Sequence, residues 1–284
     1  MIKSLLKRVL MNNPTKANYK FVLKSLVPVL DCEVTRDVME SKRISSIVRP
    51  VVMSNLELKK VLLISPHTDD ETFGVGGTLL QLAESGCEIH IVYVASKFET
   101  EEETDALRKE AGLVSKVLGS KTYFLDAKPG NIPLGEGLEE KIKNIFDDVK
   151  PEAVFTTFLL DDHDDHRRVN NLICKSLRGT SHHFEVWSYQ IYSTVIPNVV
   201  IDITNEIEAK CRLMDIWKTV RGNRNWTHYI KSLNGFNCRY LPTKKSVYAE
   251  TFFVIPWPDY FELSERYFSN DLKKIYSKEN YQND

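Results

Sequence analysis

Short apolar runs alternate with segments of helical periodicity along most of this chain, and this alternation limits the fold more than any other feature. The run Val61–Ile64 is apolar at every position, which is typical of a strand buried on both faces in a parallel sheet. Strands that alternate with helices form a parallel sheet covered by helices on both faces. The sequence therefore predicts a Rossmann-like α/β sandwich, with a mainly parallel sheet flanked by helices.

Helix end signals help to place the segments between the strands. Thr100 and Glu103 form a plausible capping box, and Gly119 follows the last apolar residue of the same helical pattern. A second pattern runs from Leu138 to Val149. The remaining predicted strands are 89–94, 122–125, 153–158, 184–189, 199–203 and 250–255. Three further helices are predicted: one that ends near residue 85, one at about 166–173 and one at 207–217.

Two parts of the chain differ in their predicted secondary structure. Residues 1–57 predict a mainly helical N-terminal extension, whereas residues 58–284 carry the strand and helix alternation and end in an amphipathic helical tail. Residues 1–30 are rich in lysine, contain no acidic residue and begin with an amphipathic pattern. Three interpretations of them stay open: packing on the domain or on another subunit, as in a homo-oligomer, peripheral contact with an anionic membrane surface, or an organelle-targeting segment.

Composition excludes several classes of function. A net charge of −1 argues against a nucleic-acid binder, because such binding depends on neutralising phosphates. The five cysteines have no close pair, which is typical of reduced thiols in a cytoplasmic protein and argues against a cysteine-built zinc site. No apolar run reaches the roughly 18 residues that a membrane span requires.

Two polar motifs each follow a predicted strand. Pro66–Glu71 follows the first strand of the alternating region, and His163–His166 follows the strand 153–158. Ligands of parallel sheets bind outside the carboxyl ends of the strands, so both motifs are expected at one edge of the sheet.

The residue types in these motifs fit a hydrolytic metal site. A catalytic zinc ion needs three ligands, for which a His/Asp/His set is suited, and one position open to water. Amide hydrolysis also requires an activated water, a group that stabilises the oxyanion and a proton donor for the amine. The two motifs contain a carboxylate and a histidine beyond the three ligands, so they could supply these functions.

Structural interpretations of the same residues stay open. Asp69 and Asp70 could cap the following helix, and the acidic run 161–165 could be a solvated loop. The segment Gly74–Gly77 lacks the spacing of a dinucleotide site. In the polar stretch 221–228, Trp226 and His228 either line the site or are ordinary surface residues.

Together the motifs resemble the LmbE-like deacetylases, a family that includes the N-acetylglucosaminyl-phosphatidylinositol de-N-acetylases (PIG-L) and the deacetylases of mycothiol and bacillithiol synthesis. The paired signatures read HTDDE at His67–Glu71 and HDDH at His163–His166. The resemblance covers roughly residues 59–255 and implies the LmbE-like fold. Further matches are Gly74–Gly77, Arg108–Ala111, Val200–Ile203 and Tyr248–Phe252.

The resemblance implies a role for each residue of the two motifs. His67, Asp70 and His166 would bind the metal, and Asp69 would be the general base that takes a proton from the activated water. His163 would stabilise the oxyanion and help to protonate the leaving amine.

Two more residues are carried over less directly. Asp165 would hold a histidine in the required orientation. Arg108 would contact the substrate, although a salt bridge within its helix is an equal interpretation. The family often has proline at the positions of Thr68 and Asp164, and Asp164 adds negative charge near the metal.

The implied activity is zinc-dependent removal of the acetyl group from a small N-acetylated sugar conjugate of the N-acetylglucosamine type. Fe²⁺ or Co²⁺ suits the same ligands. A second interpretation is a non-catalytic carbohydrate-binding or scaffold protein with a structural metal, which would need neither Asp69 nor His163. Phosphodiester hydrolysis is a third, but two-metal sites usually need more ligands than the two motifs offer.

Overall fold

An eight-stranded sheet lies at the centre of the computed structural model, which describes residues 50–53, 56–135, 137–193, 195, 197–220 and 224–269. The strands are β1 (Val51–Met53), β2 (Lys60–His67), β3 (Glu88–Ala95), β4 (Lys121–Ala127), β5 (Ala153–Thr157), β6 (Glu185–Tyr189), β7 (Val199–Asp202) and β8 (Ala249–Pro256).

Seven α-helices connect or follow these strands in the described part of the chain. They are α1 (Asp70–Glu84), α2 (Glu101–Leu118), α3 (Leu138–Val149), α4 (Asp164–Ser176), α5 (Ile207–Met214), α6 (Trp226–Asn237) and α7 (Trp257–Phe268). Among these helices, none is both long enough and apolar enough to cross a bilayer.

The strand order is β1-β7-β8-β6-β5-β2-β3-β4, and every neighbouring pair is parallel except those that include β8. β8 runs antiparallel between β6 and β7. Parallel neighbours require crossover connections, and helices supply them. The sheet is therefore mixed but mainly parallel.

Apolar side chains of the central strands fill two cores, one on each face of the sheet. Val61 and Leu63 of β2 belong to one buried cluster, and Leu62 and Ile64 belong to the other. Successive side chains of a strand point to opposite faces, so an uninterrupted apolar run is what a strand between two helix layers requires. The predicted Rossmann-like α/β sandwich is confirmed.

Local signals placed several element ends correctly. Thr100 and Glu103 form the expected capping box at the start of α2, and Gly119 ends that helix with a left-handed φ of 62°. α6 was not predicted, because polar amides occupy much of the face that it buries. Asn234 and Asn237 lie on that face with Ile230.

The first described strand lies on the N-terminal side of the predicted domain boundary. β1 pairs in parallel with β7, so the sheet includes residues that the prediction assigned to the extension 1–57. The amphipathic segment within residues 1–30 lies outside the described residues.

A buried polar network supports a kink in α1. At Val75 the backbone leaves helical geometry, with φ −133° and ψ 16°. Glu250 of β8 accepts hydrogen bonds from the backbone N–H groups of Gly77 and Thr78, both at 2.8 Å. Lys210 of α5 donates to the same carboxylate at 2.7 Å. The carboxylate therefore satisfies amide groups at the start of the second half of α1, where negative charge is favoured.

Close packing on both sides of the kink holds α1 in place. A Cβ atom at Gly74 would overlap the ring of Tyr189, and one at Gly77 would lie 2.7 Å from Ile203. Glycine is required at both positions, because even a methyl group would push the helix away. The turn that carries Asp70 is thereby fixed relative to β6 and β7.

Glu250→Gln leaves the Lys210 ammonium buried without a counter-charge, and we expect it to lower the free energy of unfolding by about 3 to 5 kcal/mol. Urea denaturation measures this change. Glu208→Gln is the matched control, because Glu208 pairs with Lys231 at the surface and such pairs contribute at most about 1 kcal/mol. Equal losses for the two substitutions would contradict this role of Glu250.

Candidate functional site

Both polar motifs lie at the carboxyl-terminal edge of the sheet. β2 ends at His67, and β5, its parallel neighbour, ends at Thr157 shortly before the second motif. The ring centroids of His67 and His166 are 5.3 Å apart, and that of His163 lies 4.8 Å from each of them. The pairing of β2 with β5 thus brings the two motifs together.

Asp70 lies between two of these histidines. Its Oδ2 atom is 3.2 Å from Nδ1 of His67 and 3.2 Å from Nε2 of His166. The same oxygen accepts a hydrogen bond from the backbone N–H of His67 at 3.0 Å. Asp70 is the first residue of α1, so the kinked helix sets the position of this carboxylate.

The donor set fits a divalent metal ion. His67, His163 and His166 each offer a nitrogen, and these atoms lie within 4.8 Å of one another. His166 is fully buried, yet neither ring nitrogen forms a hydrogen bond of acceptable geometry. Buried polar atoms normally have a partner, and a metal ion would provide one. Histidine nitrogens together with a carboxylate are common ligands of zinc.

The electrostatics of the cluster also favour added positive charge. Burial lowers the pKa of His67, but its hydrogen bonds to Asp165 and Asp70 outweigh burial and raise the pKa to about 10. Burial raises the pKa of Asp70, but His166 and His67 outweigh burial and hold that pKa well below its usual range. The carboxylates therefore attract a cation into the cluster.

Asp165 orients His67. Its Oδ2 lies 2.9 Å from Nε2 of His67, and its two oxygens accept backbone N–H groups from Gly130 at 2.6 Å and Ile132 at 3.0 Å. If a bound cation replaced its second proton, His67 would donate from Nε2 to Asp165 and present the lone pair of Nδ1 toward Asp70. The positioning role that the resemblance implies for Asp165 requires a contact of this kind with a ligand histidine.

Asp161 positions a second part of the cluster and was not predicted. It is fully buried, and its Oδ1 accepts the backbone N–H of His163 at 3.0 Å and lies 3.1 Å from Nδ1 of His166. Its Oδ2 accepts the backbone N–H groups of Tyr192 and Ser193 at 3.2 and 3.3 Å. The sequence indicated only that Asp161 opens the acidic loop after β5.

Asp69 has a strained backbone next to Asp70. Its φ is 135° and its ψ is −29°, a backbone conformation that residues other than glycine rarely adopt. The buried carboxylate of Glu71 accepts the Asp69 N–H at 3.0 Å, and the Thr72 hydroxyl donates to the Asp69 carbonyl at 2.9 Å. Burial and the Asp70 charge raise the pKa of Asp69 well above its usual range.

His163 is held as a neutral imidazole. Its Nδ1 accepts the backbone N–H of Asp165 at 3.2 Å, so in the neutral ring the proton lies on Nε2. Burial and the neighbouring His166 and His67 lower the pKa of His163 to about 4. His163 therefore presents one N–H donor from Nε2 at neutral pH.

Two other predicted residues have partners outside the cluster. Arg108 donates to Asp126 at 2.8 Å and lies over the ring of Phe124, with the guanidinium carbon 5.2 Å from its centroid. Asp164 lies 3.3 Å from both Arg167 and Arg168. The extra negative charge that the sequence places near the site is thus offset locally.

Comparison with known proteins gives a consistent family match. Residues 62–177 match the family described as GlcNAc-PI de-N-acetylase (PIG-L). The diacetylchitobiose deacetylase of Thermococcus kodakarensis is 26% identical over 214 residues, which cover 62% of this chain and 77% of that protein.

Solved structures show the same fold. The N,N'-diacetylchitobiose deacetylase of Pyrococcus horikoshii superposes with a TM-score of 0.61 and 24% identity, over 70% of this chain and 84% of its own. A 4-carboxy-2-hydroxymuconate hydratase from Pseudomonas putida superposes with a TM-score of 0.59 and 20% identity, over 69% and 96%. Since the same fold occurs with two different activities, the fold alone does not identify the activity of this chain.

Asp165→Asn replaces one acceptor oxygen by an amide group that cannot accept the N–H groups around it. We expect the Kd for zinc to rise by about tenfold to a hundredfold, because His67 loses its fixed orientation. Competition with a chromogenic chelator measures the Kd. Asp147→Asn on the exposed face of α3 should leave it unchanged, and an unchanged Kd in Asp165→Asn would show that this carboxylate does not support a metal ligand.

Proposed function

Residues 62–177 match the PIG-L family, and on this premise we propose that the chain is a metal-dependent hydrolase of N-acetylated sugars. The substrate class is a small conjugate of the N-acetylglucosamine type, from which the protein releases acetate. The observation that carries the proposal is the placement of Asp70 between His67 and His166, with Asp69 and His163 beside them.

We assign the metal to His67, Asp70 and His166. When bound there, a divalent ion would lower the pKa of a water molecule and polarise the acetamide carbonyl. Zinc fits a site of two imidazoles and one carboxylate with an open position, and Fe²⁺ or Co²⁺ suits the same donors. Asp165 and Asp161 keep the two histidine rings in place.

Asp69 acts as the general base. A carboxylate with its usual pKa is a weak base at neutral pH, whereas burial and the Asp70 charge raise the pKa of Asp69. Asp69 takes a proton from the attacking water while the water oxygen bonds to the acetamide carbon. The same proton then returns to the amine nitrogen as the C–N bond breaks.

His163 stabilises the developing charge. Its Nε2–H donates a hydrogen bond to the carbonyl oxygen as that oxygen becomes negative, while the proton for the leaving amine comes from Asp69. The depressed pKa of His163 keeps the ring neutral before the reaction. Asp165 holds Nδ1 as the acceptor, which fixes the donor on the other side of the ring.

A non-catalytic sugar-binding protein with a structural metal is the alternative. Such a protein would gain nothing from an aspartate held at a φ of 135°, because glycine adopts that backbone without strain. The strained Asp69 therefore favours the enzyme.

Asp69→Asn removes the base while it preserves the shape of the side chain. We expect kcat for acetate release from N-acetylglucosamine conjugates to fall by about 10² to 10⁴-fold, with metal content unchanged. Acetate release by the zinc-loaded protein is the measurement. Asp162→Asn, an exposed aspartate of the second loop, is the matched control and should retain full activity. Full activity in Asp69→Asn would remove Asp69 from the mechanism.

A further inference from the structure

An aromatic side chain covers one side of the histidine cluster. The Tyr192 ring stacks on His163, with centroids 5.7 Å apart and an interplanar angle of 24°. It also lies 5.5 Å from the His166 ring. Tyr192 is 46% exposed, although Asp161 holds its backbone N–H. Its position is therefore fixed while much of its ring faces solvent.

Two further aromatic rings extend this surface away from the cluster. Trp226 lies 5.9 Å from Tyr192 at an angle of 75°, and Tyr229 lies 6.0 Å from Trp226. Trp226 also packs on Phe73 of α1 at 5.6 Å, which anchors it close to the turn of Asp70. We call Tyr192, Trp226 and Tyr229 the aromatic face.

Polar groups border the aromatic face. The guanidinium carbon of Arg224 lies 5.7 Å from the Trp226 ring centroid, and Arg224 and Asn225 are exposed. The two tyrosines add hydroxyl groups to rings that are otherwise apolar. Ligand sites combine apolar and aromatic walls with a few polar groups in this way.

The chemistry of the aromatic face matches a sugar ring. A pyranose presents C–H groups on its flat sides and hydroxyl groups around its edge, so it can lie on an aromatic ring and bond to polar groups at the border. A protein partner also favours tyrosine, tryptophan and arginine. The direct stacking of Tyr192 on His163 decides between them, because it makes the face continuous with the proposed reaction site.

We propose that the aromatic face binds the pyranose ring of the N-acetylated substrate, with Tyr192 next to the acetamide, Trp226 under the sugar, and Tyr229, whose ring is at 77° to that of Trp226, against the edge of the sugar. This inference rests on the proposed function, since it places the substrate at the same site. It identifies three substrate-binding residues outside the two sequence motifs.

Tryptophan fluorescence tests the binding directly. Trp187, Trp217 and Trp257 are at most 5% exposed, whereas Trp226 is partly exposed. In zinc-loaded Asp69→Asn protein, which should bind without turnover, N,N'-diacetylchitobiose should protect one tryptophan from acrylamide in a saturable manner. Trp226→Leu in the same background should remove both the quenchable signal and its protection.

Steady-state kinetics test the same face in active protein. We expect Tyr192→Leu, Trp226→Leu and Tyr229→Leu each to raise KM by about threefold to tenfold, with zinc content unchanged. Tyr192→Phe keeps the ring and should retain most of the affinity. Phe236→Leu is the matched control, because Phe236 is an exposed aromatic about two turns of α6 beyond Tyr229 that packs on Arg239.

The outcomes separate this inference from the proposed function. Acetate release with an unchanged KM in all three leucine variants would overturn the aromatic face and leave the deacetylase intact. Sugar protection of Trp226 without acetate release by the unmodified chain would support the face and overturn the deacetylase. If Trp226 is protected from acrylamide by a higher protein concentration rather than by sugar, the face binds a second copy of the chain and the inference is wrong. If sugar gives no protection from acrylamide, the inference is also overturned.

Discussion

The parallel pairing of β2 with β5 is the constraint on which the site depends. Both strands end at the same edge of the sheet, so the residues that follow them must meet. β2 ends at His67 and α1 begins at Asp70, whereas His163 caps the start of α4 after β5 and His166 lies in its first turn. A shift of one residue in this register would turn the side chains of β2 toward the wrong faces and separate the four polar groups.

Buried carboxylates fix the positions of the histidine rings at this edge of the sheet. Asp165 bonds to His67, and Asp161 lies against His166 and holds the loop that carries Tyr192. Each carboxylate also accepts backbone N–H groups, which removes most of the penalty of burial. The cluster still concentrates negative charge, and a divalent cation would complete its electrostatic balance.

The sequence allowed the sheet and the meeting of the two motifs to be predicted, because apolar runs and loop positions depend on local patterns. It did not reveal Asp161 as a positioning residue, since an aspartate in an acidic loop carries no signal of burial. α6 was missed for the opposite reason: Asn234 and Asn237 occupy its buried face and hide its amphipathic period. Tyr192 follows no motif, so only the fold shows that it lies on the histidines.

The backbone at Asp69 has a consequence for the balance between stability and activity. Folding alone would favour glycine at a φ of 135°, and a glycine there would relax a conformation that now depends on the bonds from Glu71 and Thr72. Asp69 therefore lowers the stability of the fold at the position where we propose that its carboxylate acts. A chain selected only for thermal stability would replace Asp69 with glycine, and it would then lose the general base that we propose.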